Sequence, residues 1–390
     1  MHMGDRRRFR QDPLEYLEDL RRRSTTGLIP LPWGGWCVSD TELAQTLLRS
    51  PEYNGGRSGF FGALLPTRDA QIEVGHAVRD LMRAGVPHYR AALTRAAADL
   101  PAVGRWPDAG TRLVHRGLED LLLHPETPAR TRELMRRAAL GGVAVRAPHV
   151  WQRARAEVLR PQLLAALTEE AAHRREDPAR EPRDVLDAVL SACPPGETGD
   201  RTVAELHLMM FRAVMAPLSS SLAWSVLLAC LRHRAASPWP WPADDIVREA
   251  LRHRPMAWML GRVLPQAVKL GGTAFEAGDL VSVSPYLLHH DTRHWADPDA
   301  FRPERWTGTD TRHGPYIPFG AGPFTCAGAA VAHTLITDSL TALSRDAHLT
   351  VTGGDTRPAM AEGNVPRPFT LRRTLKPPAE GDTGPDTGGR

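Results

Sequence analysis

The sequence predicts a mainly helical protein with a smaller β part, an α+β architecture, on three observations. From about residue 12 to residue 175, apolar residues recur at helical spacing among Ala, Leu and Arg. A run of 19 uncharged residues, Ala213 to Leu231, marks one long buried helix. Beyond Pro255 the pattern changes to short segments broken by Gly turns, where Val281 and Val283 alternate with Ser282 and Ser284 as in a half-buried strand.

Taken in order, residues 1–11 read as a disordered basic start. The run Arg6-Arg7-Arg8 is followed by an acidic, amphipathic stretch, which argues against an export signal. Residues 12–23 predict a surface helix and 36–38 a short strand, and Asp40 is a natural N-cap for a helix over 41–49. The polar residues 176–200, rich in Pro, Gly and Asp, read as a surface connection. The long helix begins near Thr202, and Pro255 ends a short helix over 244–254. An irregular Pro-rich segment spans 297–323, a helix follows over about 327–344, and 349–373 carries the punctuation of hairpins. Residues 376–390 read as a disordered tail, so 12–375 is expected to be a single domain.

The chain has 390 residues, of which 42% are hydrophobic and 24% charged, enough for a core that hides a large cofactor. Its net charge of +4 rests on scattered arginines with acids among them, which argues against nucleic-acid binding. The cysteines Cys37, Cys193, Cys230 and Cys326 have no paired spacing, so neither a disulfide framework nor a zinc site is expected, and a reducing cytoplasm fits best. The uncharged run nearly has the length of a membrane span, but it contains Pro217 and three serines and stands alone, so no membrane association is expected.

The most informative segment is Phe319-Gly320-Ala321-Gly322-Pro323-Phe324-Thr325-Cys326-Ala327-Gly328. Glycines before a cysteine at a helix entrance make a tight loop whose N–H groups can point at sulfur, and those donors with the helix dipole favour a thiolate. Upstream, Glu249 and Arg252 stand at i and i+3, on one helix face where an ion pair can form.

The cysteine segment resembles the haem-binding loop of cytochromes P-450, matching its Phe, three Gly and Cys positions. The resemblance implies the cytochrome P-450 fold, haem b as cofactor and Cys326 as iron ligand, with Phe319, Gly320, Gly322, Phe324 and Gly328 shaping the loop. It also implies that Arg305, in a segment resembling the family's Pro-rich connection, completes a structural triad with Glu249 and Arg252. Arg262 and His88 correspond to the family's donors to the haem propionates. Phe324 departs from the family, which generally has Arg or His two residues before the cysteine, and Ala92 stands where an arginine usually follows the histidine. Weaker haem anchoring is therefore expected.

By the same resemblance, Ala216 and Pro217 stand where the central helix of typical monooxygenases carries an acid and a Thr that deliver protons to bound dioxygen. Neither can relay a proton, and Pro217 is expected to hold open a kink. One of Ser219 to Ser221 would be the substitute hydroxyl if the register differed. The implied activity is an atypical oxidative tailoring of a small natural-product intermediate, served by a ferredoxin-type electron donor. The alternatives are oxygen-independent haem-thiolate chemistry, such as nitrene transfer, rearrangement or dehydration, or a peroxide-driven reaction. The substrate pocket is expected to draw on the loop around Phe60, on Arg212 and Ala213, on Ala257, Trp258, Met259 and Leu260, and on the turn near Asn364. Arg212 shares a helix face with Ala216 and would anchor an anionic substrate group.

Two other classes fit parts of the sequence. His289 and Asp291 have the His-x-Asp spacing of a non-haem iron facial triad, with a distant His such as His348 as the third ligand. A haem-free accessory protein is the other, although such proteins lack the cysteine ligand and Cys326 is present.

Overall fold

The computed structural model describes residues 3–54, 59–141, 150–178, 181–194, 196, 198–234, 238–307, 314–360 and 363–375. The amino-terminal part holds helices α1 (Met3–Gln11) and α2 (Pro13–Arg23), strands β1 (Leu28–Pro30) and β2 (Trp36–Val38), and helix α3 (Thr41–Arg49). The helical body follows as α4 (Arg68–Ala84), α5 (Val86–Ala98), α6 (Asp108–Leu122), α7 (Ala129–Leu140), α8 (Val150–Glu176), α9 (Val185–Ser191), α10 (Asp200–Arg232) and α11 (Ala243–His253), with β3 (Val103–Trp106) between α5 and α6. The remainder comprises β4 (Leu260–Val263), β5 (Val268–Leu270), β6 (Thr273–Phe275), β7 (Leu280–Val283), α12 (Pro285–His289), α13 (Ala329–Ser344), β8 (Ala347–Thr352), β9 (Pro358–Met360), β10 (Asn364–Pro366) and β11 (Phe369–Leu375).

Local chemistry explains several boundaries. Asp12 caps α2 by accepting from the N–H groups of Leu14 and Glu15, and Asp40 caps α3 through Glu42 and Leu43. Helix α10 continues through Pro217 for 33 residues, about 50 Å. It is the one described helix long and apolar enough to cross a bilayer, and most of that stretch is buried inside the molecule. The main core forms around it from α4 to α9, α11 and α13. A second core lies against the sheet ordered β1-β2-β7-β4, in which β2 and β7 run parallel and β4 pairs antiparallel with β7.

Three expectations are corrected. The start of the chain is helical, because Phe9 on α1 packs against Tyr16, Trp33 and Trp258. The supposed connection 176–200 contains the buried helix α9, whose Val185, Leu186, Ala188 and Val189 are fully enclosed. Its cap, Asp184, accepts from the Asp187 N–H and also holds Arg174 of α8 at 2.8 Å, and that arginine reaches Glu170 and Asp187 as well. A seven-residue apolar segment inside polar flanks carries too little periodicity to reveal this. Strand β3, within the helical half, exists because β11 pairs with it, Phe369 opposite Trp106. The tail 376–390 lies outside the described residues.

Candidate active site

Cys326 follows a tight loop and immediately precedes α13. Gly320 and Gly322 adopt φ of 79° and 74°, the left-handed region that favours glycine. A Cβ on Gly322 would sit 2.0 Å from the Leu48 carbonyl oxygen, so only glycine lets the loop pack on the end of α3. The loop closes by a hydrogen bond from the Cys326 N–H to the Phe319 carbonyl at 2.9 Å. Of the four cysteines only Cys326 is exposed. Burial of the sulfur within the loop raises its pKa, while the Gly328 N–H works in the opposite direction. Burial thus works against the thiolate, which a cation at sulfur would favour. Cys37 and Cys230 are pushed up to about 12 by burial and are inert core residues.

Behind the loop lies a buried ionic network. Arg252 donates to Glu249 from Nε at 2.9 Å and from Nη2 at 2.8 Å, and Arg305 donates from Nε at 3.0 Å. Glu249 and Arg252 are both fully buried. Two further donors reach Glu249, the Trp306 indole N–H at 3.0 Å and the Arg302 backbone N–H at 2.9 Å. Sequence reasoning missed both; their adjacency to Arg305 was the available signal. Arg252 also donates to the His289 carbonyl at 2.7 Å. His289 then donates from Nδ1 to the Arg252 carbonyl at 3.0 Å and accepts the Ile317 N–H at Nε2, 2.9 Å away. This bridge ties α11 to the segment that leads into the cysteine loop.

The bridge also removes the iron-triad reading. Both ring nitrogens of His289 are engaged with backbone groups, and Asp291 is held by Arg293 at 2.6 Å. No group of three metal-ligating side chains occurs among the described residues.

The residues expected to bind haem carboxylates separate. Arg262, on β4, donates from Nε to Asn54 Oδ1 at 2.7 Å and sits with its Cζ 5.0 Å from the centre of the Phe324 ring. Burial lowers its pKa, and no acid pairs with it among the described residues. A desolvated guanidinium without a counter-ion beside an exposed cysteine fits a cofactor that carries carboxylates. His88 departs from expectation: it lies on α5, half-exposed, with Nε2 3.4 Å from Asp120 of α6. Helix α4 meets the loop, since a Cβ on Gly75 would lie 3.9 Å from the Ala327 Cβ. The histidine on that helix is His76, next to Gly75. Arg68, the first residue of α4, also lies over the Phe324 ring, its Cζ 5.1 Å from the ring centre.

A cavity of about 640 Å³ lies along α10. Glu205, Leu208, Arg212, Ala213 and Ala216 recur at helical spacing and so share the face that lines it, joined by Pro217. Phe60, Met256 and Ala257 also border it, as do Arg160 and Leu164 of α8. Trp258 and Met259 do not; they pack with Leu14, Leu17 and Ile29, and Leu260 joins the second core. Of the expected segment Ala257 alone is among the lining residues, with Met256 beside it, because the chain after Pro255 turns these two toward α10. Asn364 is fully buried; its carbonyl accepts the Trp224 indole N–H at 3.0 Å. Ser219 and Ser220 are buried, and their hydroxyls have no partner among the described residues.

Comparison with known proteins gives a consistent result. The family model described as "Cytochrome P450" matches residues 243–364. Cytochrome P450 3A6 of Oryctolagus cuniculus is 44% identical over 92 residues, 23% of this chain and 18% of that protein. Cyclooctatin synthase of Streptomyces melanosporofaciens is 27% identical over 187 residues, 41% of each chain. The match therefore spans less than a fifth of the first relative's length. Among solved structures, a mutant of P450 EryK in complex with erythromycin B superposes with TM-score 0.71 at 22% identity, covering 94% of this chain and 97% of that one. A zebra fish cytochrome P450 structure with progesterone gives TM-score 0.76 at 20% identity, covering 93% and 99%. At these identities the structural likeness is one of fold.

Proposed function

Since the chain belongs to the cytochrome P-450 family, whose proteins bind haem b, we propose that it is a haem-thiolate oxidoreductase with Cys326 as the iron ligand, acting in the atypical oxidative tailoring of a small natural-product intermediate. What carries the reading is the combination at one loop of an exposed cysteine, a brace through His289 to the buried Glu249 network, and the desolvated Arg262. When bound, haem b supplies an iron centre at which dioxygen, peroxide or a nitrogen-bearing substrate group is activated.

The residues of the chain then divide the work. Cys326 holds the metal, and Gly320 and Gly322 let the loop turn closely enough to present it. Arg262 binds carboxylate. Arg212 orients an anionic substrate group one helical turn, about 6 Å, from Ala216. Ala216 and Pro217 line the cavity and carry no proton donor, so protons reach the site from water or from the substrate. This favours a second reading, oxygen-independent or peroxide-driven haem-thiolate chemistry. A natural-product substrate is supported by the likeness to a Streptomyces cyclooctatin synthase, and the arginine-rich surface suits an acidic ferredoxin-type donor.

The absorption spectrum of the purified protein, reduced and exposed to carbon monoxide, tests the haem-thiolate reading. A red-shifted thiolate band is expected, and its loss in Cys326→Ala. A protein without bound haem would sink it. Product formed with a surrogate redox partner, compared with and without dioxygen, separates the two chemistries.

A further inference from the structure

The Phe324 ring is contacted by two guanidinium groups, with Arg68 Cζ at 5.1 Å and Arg262 Cζ at 5.0 Å from its centre. Both distances fall within the range of cation–π attraction. The two arginines come from distant parts of the chain, the start of α4 and strand β4, and meet at this ring. Arg68 also donates from Nη2 toward the Pro323 carbonyl at 3.5 Å, which ties it to the cysteine loop itself.

The cost of this arrangement falls on Arg262. Arg262 is desolvated and no acid pairs with it among the described residues. Arg68 brings a second positive charge to the same ring. A doubly carboxylated ligand beside the loop would remove the cost, because each planar guanidinium presents in-plane N–H groups while its face stays on the ring.

We propose that Arg68 and Arg262 form a two-arginine clamp for the haem carboxylates and that Phe324 is the positioning residue that orders both. The inference rests on the haem reading above. It replaces the expectation of weak anchoring: the basic side chain that position 324 lacks is supplied by Arg68 from α4. Phe324 touches no carboxylate; it acts through the two arginines.

The test compares the release of haem b and of haem dimethyl ester, in which both carboxylates are esterified, by transfer from the holoprotein to excess apomyoglobin. Arg68→Ala is expected to release haem b about tenfold faster, the loss expected of one charge-assisted hydrogen bond, and the ester at the parent rate. Arg68→Lys should recover part of the retention. Phe324→Leu keeps bulk but lacks the π face, and should speed haem b release without adding to Arg68→Ala in the double variant. Far-ultraviolet circular dichroism identifies any variant that misfolds, and Arg68→Gln then serves as the second probe. If Arg68→Ala or Arg68→Gln releases haem b at the parent rate, or releases both haems equally faster, the clamp is overturned while the haem reading stands. A parent protein that takes up no haem overturns both.

Discussion

Trp306 donates its indole N–H to Glu249 Oε2 at 3.0 Å, and so belongs to the same buried carboxylate network as Arg252 and Arg305. Trp306→Phe keeps a ring to pack on Tyr316, 4.9 Å away between centres, and removes only the donor. It should lower stability by about 1–3 kcal/mol. Arg252→Ala, which strands a fully buried carboxylate, should cost about 3–5 kcal/mol. Urea denaturation of both variants checks the order; equal losses would mean that packing dominates.

Acid should destabilise the protein through its buried neutral histidines. Burial pushes His115 down to about 4 and His289 to about 3, from an ordinary value of 6.5. A depressed pKa means that the unfolded chain takes the proton first, so the stability is fully present above pH 6.5 and is lost as pH falls toward those values. For His115 the loss at pH 5 relative to pH 7 is about 2 kcal/mol. His115→Gln should show a correspondingly smaller fall between pH 7 and pH 5 in urea midpoints. An unchanged pH slope would place the proton uptake elsewhere.

Ser219 and Ser220 should tolerate removal of their hydroxyls. Each is buried without a partner among the described residues, so Ser→Ala relieves a desolvation cost of about 1–3 kcal/mol, offset by a small void. Either variant is expected at or above parental stability by thermal unfolding. A clear loss would reveal a water held by these groups, and would return them to consideration as hydroxyl donors.

Arg212 faces the cavity one turn from Ala216. Arg212→Ala should weaken binding of carboxylate ligands about tenfold or more while leaving their methyl esters and the haem spectrum unaffected. Spectral titration with acid and ester pairs reads this directly. Equal affinity of parent and variant for the acids would dismiss an anionic anchor.

Ala216 and Pro217 predict poor proton delivery. Replacing them as Ala216→Asp with Pro217→Thr should raise the product formed per NADPH consumed with a surrogate redox partner. A parent that already couples the two tightly under dioxygen would show that protons come from elsewhere.

Legibility in the sequence followed locality. The cysteine loop lies within ten consecutive residues, and its glycines announce the turn they make. Glu249 and Arg252 sit within one helical turn, and Asp40 is read as a cap from its immediate neighbours. What stayed hidden depends on contacts between distant segments. Arg68 meets Pro323 across 255 positions, and nothing local marks it. A shared pattern of residue types points to His88 as a haem donor, but its helix turns it to Asp120. Trp258 and Met259 face α2 and the first strands because Phe9, Trp33 and Leu14 gather there, a packing choice made by residues some 250 positions earlier.

Pro217 has a consequence for the backbone of α10 itself. It has no N–H, so the Ala213 carbonyl, four residues earlier, cannot receive the amide proton that every regular helical position supplies. Ala213 and Pro217 both border the cavity. The amide proton is thus missing beside the cavity, where a hydroxyl, an amine or an ordered water could supply a substitute. Side-chain substitution at position 213 would leave the carbonyl oxygen in place, whereas any residue other than proline at 217 would supply its proton.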